Sequence, residues 1–427
     1  MHPEAAEINK KLQKENPTIY QLLSQRGKEI YFPTTSVPVQ TTEASDTTIN
    51  ATIGMAMNDD GSPMRLSSMA ENITLSPALV FPYASGYGVK ELRQAWMSHI
   101  KTENPSLHTE ISTPLVTAGI THAISVAGYL FVDNKDIIIS PDLFWGNYRL
   151  ILENAYGGNI VTFPFFQGNK FNVQGFSEIV RKGKGKKIIL LNFPHNPTGY
   201  SITVKEAESI VQILTQRAEH GDSFVVLCDD AYGGFVYQKG ILKESLFALL
   251  ADAHPHILAV KIDGATKELF AWGLRIGFIT FAGKGITPTP YGVLEQKTVG
   301  VIRGSVSNAS HLSQSLLLEA LHSETYTTER QENFKILQQR FSTVEHILKE
   351  KKYAQYFTPL PCNSGYFICI ALKQGLDADK IRRTLLHKYS TGVISLGNLL
   401  RIAFSGVPEK NLKQLFENIY NACKEHN

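Results

Sequence analysis

Six short apolar runs, at residues 115–117, 137–139, 160–163, 188–191, 225–227 and 257–260, recur through the middle of the chain. Uninterrupted apolar runs of this length suit strands buried on both faces. Longer amphipathic stretches separate them. In the clearest, Val204, Ala207, Ile210, Val211 and Leu214 share one helical face, and Thr203 with Glu206 forms a capping-box pair at its start. Strands alternating with helices predict an α/β unit whose mostly parallel sheet is flanked by helices. Ligands bind beyond the carboxyl ends of such strands, so chemistry is sought in the loops that follow them.

The flanks have a different texture. Residues 1–50 are polar with short apolar patches and predict a helix followed by an extended arm. Beyond about residue 310 a helical pattern runs from Ser313 to Lys351, interrupted near 324–328. A strand at 365–370, a helix at 377–387 and a strand at 399–404 follow. A chain of 427 residues exceeds one small domain. The expected organisation is an N-terminal arm and small-domain segment (1–62), a large domain (63–310) and a smaller α+β domain (311–427).

A net charge of +3 gives no footing for nucleic acid. The one compact basic run, 181–187, is broken by glycines and reads as a solvated turn before a strand. The four cysteines lack metal-ligand spacing, and Cys228 and Cys369 sit in apolar runs, where a thiol acts as a small hydrophobe. No metal and no disulfide framework is expected, which favours a reducing compartment. The first sixteen residues are too charged for the core of a signal peptide, and no stretch reaches membrane-spanning length. A cytoplasmic protein is the expectation.

Three motifs follow predicted strands. Asn-Pro-Thr-Gly at 196–199 is, alone, a good turn. Asp229, Asp230, Ala231 and Tyr232 follow the run at 225–227, where a carboxylate could equally cap a helix. Lys267 lies beyond the run at 257–260, with Arg275 eight positions later; a lone lysine there is ordinarily solvent-facing. Together they describe one chemistry. A pyridoxal-5′-phosphate Schiff base needs a lysine for the carbonyl carbon and a carboxylate for the pyridinium nitrogen. It also needs donors for the ring oxygen and the phosphate. Lys267 and Asp229 meet the first two needs. Asn196 and Tyr232 suit the ring oxygen, and the planar, charged fork of Arg275 suits a phosphate.

With these motifs in this order, residues 52–404 resemble the class I/II aminotransferases of pyridoxal-phosphate fold type I, the aspartate aminotransferase-like superfamily. The resemblance implies that Asp229, rather than Asp230, is the ring partner, and that Lys267, Asp229 and Tyr232 are catalytic. Residues 116–123 resemble the family's phosphate cradle, which implies that Gly119, Ile120 and Thr121 bind the anion at a helix start. Thr266 would add a cofactor contact. Residues 141–148 resemble the segment whose aromatic residue stacks on the ring; Trp145 is favoured, with Phe144 as the alternative. Tyr83 resembles the tyrosine that reaches the phosphate of the neighbouring subunit, which implies a homodimer. Arg401 matches the residue that clamps the substrate α-carboxylate. Arg303 resembles the one that binds a side-chain carboxylate across the dimer, a loop role beside Ser307 and Asn308 being the alternative. Ile53 and Gly54 resemble part of an N-terminal substrate loop.

Two positions depart from the pattern. The family's small hydroxyl residue three places before the lysine is Gly264, and the histidine that supports the ring aspartate in the aspartate branch is Tyr148. The implied activity is amino transfer between an L-amino acid and a 2-oxo acid, with dicarboxylic or aromatic substrates. Another fold type I reaction, such as C–S lysis or decarboxylation, is the alternative, since fold does not fix reaction. A pyridoxal-phosphate-binding regulator is a further one, opposed by an N-terminus without a basic recognition helix.

Overall fold

The computed structural model describes residues 1–33 and 35–427. Seven strands form one sheet: β1 (Leu115–Thr117), β2 (Ile137–Pro141), β3 (Asn159–Phe163), β4 (Lys186–Asn192), β5 (Ser223–Asp229), β6 (Ile257–Asp263) and β7 (Gly277–Ala282). Their spatial order is β1-β7-β6-β5-β4-β2-β3. Strand β7 runs antiparallel to both neighbours, and the other pairings are parallel. The six apolar runs are β1 to β6. The register sets Asn192 opposite Asp229, and Asp229 opposite Ile262. The carboxyl ends of β4, β5 and β6 therefore open side by side.

The helix Val204–Glu219 starts as its sequence predicts, with Thr203 Oγ1 accepting from Glu206 N and the Glu206 carboxylate accepting from Thr203 N at 2.7 Å. The basic run is exposed at Arg181, Lys182, Lys184 and Lys186, but its last member is not solvated. Lys187 lies within β4, buried, and pairs with Asp222 at 2.9 Å.

The N-terminal region differs from the expected helix and arm. Four short helices, Pro3–Glu15, Pro17–Leu22, Gln25–Glu29 and Val37–Glu43, follow one another. Asn16 and Ser24 cap their successors, and prolines open the first and second, so each helix ends where the next is started. The long helical pattern after residue 310 splits into His311–His322 and Tyr326–Leu348.

A second, fully antiparallel sheet has the order β8-β9-β11-β10, from β8 (Phe357–Pro359), β9 (Ile368–Leu372), β10 (Ile394–Leu396) and β11 (Leu399–Ile402). Strand β9 begins later than its sequence suggests because Tyr366 and Phe367 leave the sheet to pack edge-on against Tyr232. Residues Ile49 and Asn50 pair with Thr391 and Gly392, joining the N-terminal segment to the C-terminal part.

The described residues form two apolar cores. The larger surrounds the seven-stranded sheet and includes Leu316, Leu317, Ala320 and Leu337. The smaller takes in Ile49, Ala51, Phe341, Val344 and the second sheet. The changeover falls inside the helix Tyr326–Leu348. There Arg340, 1% exposed, donates to Met57 O and Ser405 O at 2.8 and 2.7 Å and pairs with Asp59. Among the described residues no helix is long and apolar enough to cross a membrane.

Candidate active site

At the carboxyl edge of β4, β5 and β6 lies a cavity of about 170 Å³. Strand β5 delivers Asp229 as its last residue, and β6 leads through Gly264 into the turn Ala265–Glu268, which carries Lys267. Asn192 ends β4 and joins these strands: its Nδ2 donates to Asp229 O at 2.7 Å, while its Oδ1 accepts from Asn196 N at 2.8 Å. Asn196 is thereby placed at the cavity wall.

The Asp229 carboxylate is buried and held at both oxygens. Oδ1 accepts from Ala231 N at 3.0 Å, and Oδ2 accepts the hydroxyl of Tyr148, itself buried. Burial pushes the carboxyl up from its ordinary value, while Tyr148, Lys267 and the Ala231 amide oppose the rise. The Lys267 Nζ stands 5.4 Å from the Tyr232 ring centroid. Burial brings its amine down to about 8; Asp229 pulls the other way and Arg275 adds to the fall. An amine at that value exchanges protons readily near neutrality.

Across the cavity stands Arg401, from β11 and 3% exposed. Its Nη2 donates to Thr52 O at 2.8 Å, its Nη1 has a long 3.5 Å contact with Asn196 Oδ1, and its guanidinium lies 4.4 Å over the Phe367 ring. Its Nε is buried and has no partner among the described residues. A buried donor left unpaired costs about 1–3 kcal/mol; the weakly engaged Nη1, at the Asn196 side of the cavity, is the part of the fork that suits an incoming anion.

The far end of the site is a second anion cradle. The helix Ile120–Phe131 starts at Gly119, and among the described residues no side chain caps its amides. Gly119 has φ +86°, and a Cβ there would stand 2.6 Å from Arg275 Nη2, so glycine is what lets the guanidinium reach the helix start. Free amides beside a fixed cation make a phosphate-type site. The Gly264 departure also has a steric cause. A Cβ at this position would be 2.6 Å from Ile276 O and Gly277 Cα, so a hydroxyl residue cannot enter without moving β7.

Residues 59–419 match the family model for aminotransferase class I and II. The chain belongs to that family. An aspartate aminotransferase of Sulfurisphaera tokodaii is 28% identical over 206 residues, and a probable N-acetyl-LL-diaminopimelate aminotransferase of Bacillus subtilis is 26% identical over 242. These alignments take in 48% and 57% of this chain, which spans about half the length of each relative, 48% and 56%. A probable aspartate/prephenate aminotransferase of Aquifex aeolicus is 25% identical over 80% of this chain and 84% of its own. Among solved structures, an aminotransferase from Anaerococcus prevotii has a TM-score of 0.83 at 24% identity, covering 94% of this chain and 99% of that one. That likeness is one of fold.

Of the residues expected in this member of the family, Lys267, Asp229, Tyr232, Asn196, Ile120, Thr121, Trp145, Gly54 and Arg401 line one cavity. Gly119 and Arg275 meet beside it. Trp145 is on the wall, whereas Phe144 packs under the Arg149 guanidinium. Thr266 is buried, its hydroxyl 3.5 Å from Ile276 O. Ile53 stands outside the lining. Tyr83, 91% exposed, and Arg303, which donates to Ser307 Oγ at 2.5 Å, are not brought to this cavity within one chain.

Other contributors were not singled out by the sequence. Tyr148 was visible only as a departure, and Asn192 only as the end of a strand. Phe367 was one aromatic among many. Val37 lines the cavity from the helix Val37–Glu43, which Gln40 ties to Ser395 through bonds of 2.8 and 3.1 Å. No local signal marks that long-range arrival.

Proposed function

We propose that the chain is a pyridoxal-phosphate-dependent aminotransferase that moves the amino group between an L-amino acid and a 2-oxo acid. The observation that carries the proposal is the meeting in one cavity of the Lys267 amine, the Asp229 carboxylate and the buried Arg401 guanidinium. The residues fit the cofactor at both ends. Gly119, Ile120, Thr121 and Arg275 would hold the phosphate, with Thr266 close by. Asp229 would face the ring nitrogen, Asn196 and Tyr232 the ring oxygen, and Trp145 a ring face.

When bound, pyridoxal phosphate supplies a carbon that carries the amino nitrogen and a ring that draws electrons from the substrate α-carbon. Lys267 takes the α-proton and returns it, a task suited to an amine near 8. Asp229, fixed by Tyr148 and the Ala231 amide, holds a proton on the ring nitrogen. Arg401 pairs with the α-carboxylate of either substrate, and Phe367 beneath it fixes the plane of the fork, so orientation contributes to the rate.

The reading includes a cytoplasmic homodimer of amino acid metabolism. Ile73, Leu79, Phe81 and Tyr83 are large apolar residues exposed within one short segment, which supports burial against a second copy. In such a dimer Tyr83 of the partner subunit would reach the phosphate, and Arg303 of the partner subunit would meet a substrate side-chain carboxylate. Gly54 and Val37, with Ile53 nearby, would bound a dicarboxylic or aromatic side chain. The proposed division is an N-terminal segment (1–62), a large cofactor domain (63–310) and a small domain (311–427) joined by the first; the two apolar cores support two units, with the helix His311–His322 and the first part of Tyr326–Leu348 packed on the larger core.

The test is to load purified protein with pyridoxal phosphate and add amino acids one at a time. Loss of the bound cofactor's visible band should accompany one equivalent of 2-oxo acid, and a second 2-oxo acid should restore the band. Release of carbon dioxide or sulfide without 2-oxo acid dependence would establish a decarboxylase or C–S lyase in its place.

A further inference from the structure

Each of the two central site residues is followed by a charged neighbour that serves a different cavity. Asp230 follows Asp229 and Glu268 follows Lys267; both line a pocket of about 40 Å³ behind the site. Between them runs a nearly continuous series of polar contacts. Asp230 accepts from Ser245 Oγ at 2.6 Å and from Lys261 Nζ at 2.5 Å, and Lys261 reaches Asp263 at 3.4 Å. Asp263 accepts from Trp96 Nε1 at 3.1 Å, and Trp96 packs against His99. His99 Nε2 lies 2.8 Å from Glu268 Oε1; Arg330 donates to the same oxygen at 3.2 Å and to Glu103 at 2.9 Å.

Asp230, Lys261, Asp263 and Glu268 are all buried. Removing a charge from water costs several kcal/mol, and a buried ion pair is often no more stable than apolar groups in its place. Stability alone is therefore a poor reason for this series. Placement is a better one. The turn Ala265–Glu268 is four residues long, too short to hold its own shape, and must be fixed from outside. Tyr366 donates to Lys267 O at 2.8 Å. Thr266 adds a long contact to Ile276 O, and Glu268 supplies two charged ties, to His99 in the helix Lys90–Glu103 and to Arg330 in Tyr326–Leu348. Burial pushes the Glu268 carboxyl up, yet His99 and Arg330 outweigh it and hold the group at about 2.

We infer that Glu268 is a positioning residue: through its ties to His99 and Arg330 it sets the direction in which the Lys267 amine enters the cavity. The inference rests on the aminotransferase reading of the site. Arg330 extends the tie toward the smaller core, since its helix contributes Leu337 to one core and Phe341 to the other.

The test uses holoenzyme carrying Glu268→Gln, Arg330→Met, Arg330→Lys or the Gln/Met pair. Misplacing a reacting group by an ångström costs about a hundredfold, so Glu268→Gln should lower kcat by about ten- to a hundredfold. KM for the amino donor should stay within about twofold. The double variant should fall little further than Glu268→Gln alone, because both changes act on one contact. Arg330→Lys should recover much of what Arg330→Met loses. A network that serves stability only would lower the melting temperature and leave kcat unchanged, and that pattern overturns the inference. If Glu268→Gln does not fold, Arg330→Met decides, its side chain being 20% exposed: a fall in kcat at constant KM upholds the inference, and an unchanged kcat overturns it. Wild-type protein without transamination defeats the functional reading and this one with it; an active wild type with unimpaired variants defeats this one alone.

Discussion

Arg401→Lys separates a carboxylate clamp from a merely buried cation. In the structure the guanidinium is committed to Thr52 O through Nη2, while Nε has no partner among the described residues and Nη1 only a contact at 3.5 Å. A substrate carboxylate that displaces the long Asn196 contact can meet a fork at the Nη1/Nη2 edge, whereas lysine presents a single point. The substitution should remove one of two charge-assisted hydrogen bonds, each contributing about 1.5–3 kcal/mol. At 1.36 kcal/mol per tenfold, kcat/KM should fall by about 10- to 150-fold. Both half-reactions should suffer alike, because amino acid and 2-oxo acid share the α-carboxylate. The assay is single-turnover absorbance of the bound cofactor with each substrate, together with an amine that has no carboxylate. That amine should react at a similar, slow rate with wild type and variant. If the variant stays within about twofold of wild type for amino acids, or loses as much toward the amine, Arg401 is not the clamp.

Three further outcomes follow from the burial of charge. The Lys267 amine has its folded value lowered to about 8 from 10.5, so the unfolded chain binds that proton more tightly. The resulting penalty is absent above about 10.5, grows as pH falls and is complete below about 8, reaching at most about 3 kcal/mol. Lys267→Met should accordingly raise the melting temperature of cofactor-free protein at pH 7, with the gain vanishing toward pH 10.5; no gain at pH 7 refutes the assignment. Tyr148→Phe leaves Asp229 Oδ2 without its donor, which should cost about 1–3 kcal/mol, weaken cofactor retention on dialysis and lower kcat more than it raises KM. Unaltered retention and kcat would show that the hydroxyl is dispensable. Asp222→Ala strands Lys187, whose side chain is 4% exposed, and removes the partner of Arg217; about 3–5 kcal/mol of stability should go, read by urea denaturation, with kcat of the folded fraction preserved.

Strands β1, β2 and β4 to β6 were readable because burial on both faces demands an uninterrupted apolar run, while β3, at the sheet edge with Thr162 exposed, was readable from Ile160, Val161 and Phe163. Strand β7 is equally buried but contains Thr280 and opens on a glycine directly after the Arg275 motif, so loop and strand merge in composition. The chemistry at the ends of β4, β5 and β6 was readable for a related reason: a strand ends at a definite place, and the residue types just past it are few. What arrives from elsewhere was not. Val37 depends on Gln40 pairing with Ser395, and the meeting of Arg275 with Gly119 depends on a missing side chain. The sharpest limit lies in adjacent pairs. Asp229 and Asp230 are the same residue type one position apart, yet the first meets Tyr148 at the cavity and the second meets Lys261 behind it. Composition is blind to that difference; the extended backbone, which sends successive side chains to opposite sides, decides it. Lys267 and Glu268 divide between the same two cavities. A one-residue slip at the end of β5 would therefore exchange the acid at the site for the acid of the network, so the register of these strands is itself a condition of the chemistry.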